Sequence, residues 1–155
     1  MTDYDLILEQ TRGFAETEPF YVPLLANVSA LLYETLEEVN WAGFYLMRSG
    51  RLVLGPFCGK PACIHIEVGR GVCGTAVMED QTQRVPDVHA FPGHIACDVS
   101  SRSEIVIPLH EDGRIIGVLD IDSPRTDRFT EEDQKGLEKL VRKIEELIQI
   151  SEGTE

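Results

Sequence analysis

Apolar residues recur at three- and four-residue intervals through "FYVPLLANVSALLYETLEEV" (20–39), where Leu24, Leu25, Val28, Leu31, Leu32, Leu36 and Val39 mark a single stripe. That spacing predicts an amphipathic helix. The preceding "DYDLILEQTRGFAE" predicts a shorter helix ending near Gly13. Toward the other end, "FTEEDQKGLEKLVRKIEELIQI" offers Thr130 as an N-cap and three acidic residues, Glu131, Glu132 and Asp133, in the first turn. Leu137, Leu140, Val141, Ile144 and Leu147 form its core-facing stripe.

The middle of the chain changes period. "WAGFYLMR" (41–48) and "RLVLGPFCG" (51–59) flank "SG" and predict a β-hairpin, while "CIHIEV" alternates, with Ile64, Ile66 and Val68 on one face. "GRGVCGTAVMED" predicts a short helix after its glycines. "EIVIPL" and "RIIGVLDID" predict two more strands turning at "HEDG". The order is thus two helices, three strands, a helix with a long loop, two strands and a helix. Strands joined by tight turns between helices predict an α+β domain with an antiparallel sheet. Its 155 residues fit one domain spanning 1–155, with "SEGTE" as a frayed tail. The stretch 86–103 is long for a structureless connection, which marks it as a binding element.

Strand parity sharpens the candidate chemistry. In "RIIGVLDIDS", Asp120 and Asp122 share a face with Ile116 and Val118. Two carboxylates about 6 to 7 Å apart raise at least one pKa if that face is enclosed. They are ordinary if the strand simply runs into solvent, and parity leaves both readings open. Trp41, Gly43 and Tyr45 likewise share a face, as plain core or as walls of a pocket that Gly43 leaves open. Glu104 starts the strand after the long loop, where a solvated glutamate is the ordinary reading.

The four cysteines, Cys58, Cys63, Cys73 and Cys97, have the spacing C-x4-C-x9-C-x23-C, without the C-x2-C hook of a zinc site. "HIE" at 65–67 matches only half of a zinc-deaminase signature, so no metal site is expected. Cys73 opens a helix, whose N–H groups favour a thiolate. Cys97 sits in the long loop near His89 and His94, which favour its thiolate, and beside Asp98, which opposes it. A buried inert thiol is the default for any one cysteine, yet three in or beside Gly/Pro-rich turns suit attack-and-resolve redox chemistry. Composition removes other classes. Twenty-seven acidic against 14 basic residues give a charge of −13, unsuited to nucleic acid. No apolar run approaches a membrane span and "MTDYDLILEQ" lacks a signal-peptide pattern, so a cytoplasmic protein is expected.

Three strings carry a resemblance: "GPFCGKPACIHIEVGRGVCGTAV", "VPDVHAFPGHIACDVSSRSEIVIPL" and "GVLDIDSP". Together they resemble the free methionine-(R)-sulfoxide reductases built on a GAF domain, from about Phe20 to Ile148. The resemblance implies an antiparallel sheet with the N- and C-terminal helices packed on one face and an active-site loop on the other. It implies reduction of the R-sulfoxide of free methionine, with Cys97 as nucleophile, Cys63 as resolving thiol and Cys73 as a secondary resolving thiol. It further implies that Trp41 and Tyr45 enclose the substrate and that Glu104, Asp120 and Asp122 polarise the sulfoxide and pair its ammonium. No bound cofactor is implied; thioredoxin, with thioredoxin reductase and NADPH, is the expected reductant, as for an enzyme of oxidative stress. GAF domains often pair through terminal helices, which leaves a homodimer open. Cys58 departs from the family pattern, which has a polar residue there, and is read as filling space. The alternative is a non-catalytic GAF module sensing a small ligand or oxidants, although this chain carries no output domain beside it.

Overall fold

The computed structural model describes residues 1–93 and 100–150. Four α-helices enclose a six-stranded sheet: α1 (Tyr4–Thr17), α2 (Tyr21–Thr35), β1 (Trp41–Arg48), β2 (Arg51–Gly59), β3 (His65–Ile66), α3 (Gly71–Glu79), β4 (Gln83–Val85), β5 (Ser103–Glu111), β6 (Arg114–Ser123) and α4 (Glu131–Leu147). A 3-10 turn covers Val88–Ala90. The strand order is β3-β2-β1-β6-β5-β4, and every pair is antiparallel. No helix among the described residues is long and apolar enough to cross a membrane.

The pleat divides the apolar residues into two cores. Ala42 and Phe44 of β1, Ile105, Ile107 and Leu109 of β5, and Leu119 and Ile121 of β6 face α1, α2 and α4. Leu24, Leu25, Val28 and Leu32 of α2 meet them, as do Leu137, Leu140, Val141 and Ile144 of α4. The opposite face holds a smaller core of Trp41, Tyr45, Leu52, Ile66, Val106 and Val118 under Val72, Cys73 and Ala76 of α3. The terminal helices therefore cover one face, as expected, and α3 covers the other.

The N-terminus of α4 is fixed by more than its stripe. Thr130 and Asp133 form a reciprocal capping box, with Asp133 N–H donating to Thr130 Oγ1 at 3.1 Å and Thr130 N–H to Asp133 Oδ2 at 3.0 Å. Asp133 also takes a hydrogen bond from Tyr4 Oη at 2.7 Å and an ion pair from the buried Arg128 at 3.0 Å. Burial raises its pKa, but the Thr130 and Tyr4 hydrogen bonds and Arg128 outweigh it, so the carboxyl sits below its ordinary value.

Three expectations are corrected. Helix α1 runs through Gly13 to Thr17, because an exposed glycine lowers helix propensity without ending a helix. The "CIHIEV" alternation shrinks to the two-residue β3, with Ile64 exposed and Ile66 buried. Ile64 donates no core side chain, although its carbonyl accepts from Leu54 N–H at 2.9 Å. The three-residue β4, too short to show a period, adds a sixth strand beside Val85↔Glu104 and Gln83↔Val106.

Candidate active site

Register places the carboxylates. Asp122 stands across from Trp41 on β1 and from Glu104 on β5, while Asp120 stands across from Gly43 and Val106. All project from the face under α3, where Trp41, Tyr45, Cys73, Glu104, Asp120 and Asp122 line one cavity of about 50 Å³. Pro61, Ala62, Arg70 and Ser101 contribute to its rim. Parity left open whether the acidic pair is enclosed. It is: Glu104 is 8% exposed and Asp120 5% exposed, with Asp122 half-buried. Glu104 is therefore not the solvated strand-end glutamate of the ordinary reading.

Burial sets the electrostatics. Glu104 is pushed well above the ordinary carboxyl range by desolvation and then by the charges of Asp120 and Asp122. Asp120 is also raised by desolvation, while hydrogen bonds from Glu104, Cys73 and Asp122 pull the other way. Glu104 and Asp120 thus both hold a proton above the ordinary carboxyl range, chiefly because both are buried. The Cys73 Sγ lies 3.9 Å from Glu104 Oε2. This corrects the helix-start argument for Cys73. Desolvation and the charges of Asp120 and Glu104 push its pKa well up, so the residue is a buried thiol and not an activated thiolate.

Aromatic packing shapes the opposite wall. Trp41 is stacked between Tyr45, at 5.9 Å between centroids, and Phe57, at 5.2 Å. Gly43 does not leave the open space expected of it, because a Cβ there would run into Phe57. The glycine lets β2 bring Phe57 behind Trp41. A register shift between Gly43 and Tyr45 accompanies this approach. The polar ends of both aromatic residues hold the following turn: Trp41 Nε1–H donates to the Lys60 carbonyl at 3.1 Å and Tyr45 O–H to the Cys63 carbonyl at 2.9 Å.

That turn carries Cys63, which is half-buried and disulfide-bonded, whereas Cys58 and Cys73 are free thiols. Cys97 and His94, named from the sequence, lie outside the described residues. The base of the long loop is anchored beside the cavity. Val88 N–H donates to the Arg102 carbonyl at 2.7 Å, Arg102 N–H to the Ser123 carbonyl at 2.7 Å, and Asn40 Nδ2 to Ser101 Oγ at 3.3 Å. His89 and His65 are exposed and do not line the cavity. Sequence reasoning missed Phe57, Arg70 and Ser101. Parity on β2 could have found Phe57, but no local pattern marks the other two.

A family model for the GAF domain matches residues 25–149. The free methionine-R-sulfoxide reductase of Escherichia coli is 60% identical over 131 residues, covering 84% of this chain and 79% of that protein. A structure of the Staphylococcus aureus fRMsr in complex with substrate aligns at a TM-score of 0.91 with 52% identity, over 96% of this chain and 97% of that one. The Neisseria meningitidis free methionine-R-sulfoxide reductase, also in complex with its substrate, aligns at 0.89 with 46% identity, over 92% and 86%. With a GAF sheet, a buried carboxylate cavity and this degree of identity, the chain belongs to the GAF-domain free methionine-R-sulfoxide reductases.

Proposed function

We propose that this chain is an oxidoreductase that reduces the R-sulfoxide of free methionine to methionine. The observation that carries the reading is the enclosed set of Glu104, Asp120 and Asp122 facing Trp41 and Tyr45 across a small cavity. A sulfoxide sulfur is a poor electrophile until its oxygen is protonated or strongly hydrogen-bonded. Glu104, whose carboxyl is pushed well above the ordinary range by burial and then by its acidic neighbours, is suited to donate to that oxygen. The other carboxyl groups of the trio suit the α-ammonium, which free methionine has and an internal peptide residue lacks. Trp41 and Tyr45 supply the apolar wall for the S-methyl group.

In this reading the Cys97 thiolate attacks the sulfoxide sulfur while Glu104 protonates the sulfoxide oxygen. The hydroxyl then passes to the Cys97 sulfur as the substrate S–O bond and the new S–S bond break, leaving Cys97 as sulfenic acid and methionine reduced by two electrons. Cys63 then attacks the sulfenic sulfur, expelling water and forming a disulfide. The disulfide-bonded state of Cys63, beside free thiols at 58 and 73, supports this choice of resolving residue. Cys73, buried with its pKa raised, is poorly placed to serve as the alternative resolver. A dithiol protein of the thioredoxin class would return the electrons, which suits a cytoplasmic setting.

The test is NADPH-coupled turnover of stereochemically resolved free and peptide-bound methionine sulfoxide. The free R-isomer should be consumed, and Cys97→Ser should abolish consumption. Cys63→Ser should release one methionine per chain and then stall. Steady turnover by Cys97→Ser would exclude the nucleophile, and binding without consumption by the parent chain would indicate a sensor.

A further inference from the structure

Cys73 has no necessary part in the reaction above, yet it sits among the reaction's carboxylates. Its Sγ, one oxygen of Glu104 and one of Asp120 all lie within 4.8 Å of one another, and all three residues are buried. An ammonium ion needs the two oxygens but gains nothing from a thiol. A soft divalent cation uses all three, since thiolate favours Zn²⁺ and its relatives while carboxylate and water alone suit Mg²⁺ or Ca²⁺.

The spacing agrees. In a tetrahedral zinc centre with Zn–S of about 2.3 Å and Zn–O of about 2.1 Å, sulfur and oxygen ligands stand about 3.6 Å apart. The Cys73 Sγ to Glu104 Oε2 distance is 3.9 Å. Independent of this distance, Asp120 is 5% exposed, lines the cavity, and has an Oδ1 without a hydrogen-bond partner among the described residues. That oxygen is a buried acceptor which a cation held between Glu104 and Cys73 would satisfy.

We propose that Cys73, Glu104 and Asp120 form a binding site for a soft divalent cation of the Zn²⁺ class. Binding releases the Cys73 proton and any carboxyl proton to solvent, leaving three anionic ligands and a fourth position for water. The site stands on its own geometry. Its consequence, that the cation excludes the substrate's ammonium and inhibits competitively, rests on the function proposed above.

Cd²⁺ titration of the disulfide-bonded protein, without reductant, tests the site through the ultraviolet charge-transfer band of a Cd–thiolate bond. One equivalent should bind. Cys73→Ser should abolish the band, Cys58→Ser should leave it unchanged, and Asp120→Asn should weaken binding at least about tenfold. No band in the parent protein would overturn the proposal, as would a band that survives Cys73→Ser or disappears in Cys58→Ser. Saturating free methionine should raise the Cd²⁺ concentration needed for half-occupancy. Undiminished Cd²⁺ binding under those conditions would leave the cation site standing and count instead against the ammonium role of Glu104 and Asp120.

Discussion

Removing the Tyr45 hydroxyl separates the two halves of the proposed catalytic cycle. Tyr45 is buried, its ring lies against Trp41, and its O–H donates to the Cys63 carbonyl at 2.9 Å. Tyr45→Phe keeps the ring, and so keeps the apolar wall, but frees one end of the turn bearing Cys63. A hydrogen bond of this kind contributes about 1 kcal/mol net, more if the acceptor is left dry. Cys63 is half-buried, so water can replace part of the loss and the lower figure applies. One kcal/mol corresponds to a factor of about five in rate. The expected outcome is a single-turnover burst of methionine at the parental rate, followed by disulfide formation about fivefold slower. Quenched-flow sampling checks both, with methionine measured chromatographically and free thiols counted after alkylation by intact mass. A slower burst with unchanged disulfide formation would refute the reasoning, because it would mean that the hydroxyl serves the substrate and not the resolving turn.

Three further outcomes are expected. Glu104 and Asp120 have raised native pKa values, so the folded chain binds more protons than the unfolded chain above the ordinary carboxyl range of about 4. Their contribution to stability is full below that range and declines as pH rises toward the native values; Glu104→Gln should therefore be inactive, yet more stable than the parent at pH of about 8 in urea melts, with the gain vanishing near pH of about 4. Asp133→Ala strips partners from Arg128, Tyr4 and the Thr130 cap at once and should cost about 3 to 5 kcal/mol by urea denaturation. Because the Asp133 pKa is lowered, the stability it supplies is present above the ordinary carboxyl range and lost as pH falls through its native value. Gly59→Ala places a Cβ 2.7 Å from Trp41 Cδ1 at a φ of +138°. It should lower stability by about 1 to 3 kcal/mol and raise KM for the sulfoxide, read by thermal melts and initial rates.

The parts of this molecule legible in its sequence are those governed by period. Spacing found α2 and α4, and alternation paired Trp41 with Tyr45 on one strand and Asp120 with Asp122 on another, which the register then brings to the same side of the sheet. Where the element is short, the pattern fails: alternation overextends the two-residue β3, and the three-residue β4 does not announce itself. Local rules also fail where a distant surface decides. An N-terminal helix position argues for a Cys73 thiolate, but burial and then the carboxyl groups of β5 and β6 beside the sulfur reverse the sign. Gly43 looks like a vacancy until Phe57 arrives from β2 to fill it.

Proton placement needed the fold most of all. Asp120 and Asp122 are the pair that parity exposes, whereas Glu104, from the neighbouring strand, is a third carboxyl whose pKa burial pushes well up. Its register partner is Asp122. A sheet that places carboxyl groups on one covered patch gives up stability above the ordinary carboxyl range, since Glu104 ionises against burial and like charge and Asp120 against burial. The helix-side core carries no such burden: Ala42, Phe44, Ile105, Ile107, Leu109, Leu119 and Ile121 meet the terminal helices there with no carboxyl group among them. The two faces of one sheet therefore do opposite thermodynamic work, one holding the fold together and the other maintaining a strained set of acids. A cationic ligand relieves that strain, whether it is the ammonium of an amino acid or a metal ion on Cys73. The same burial that raises the cost of ionising these carboxyl groups thus favours a positive charge beside them.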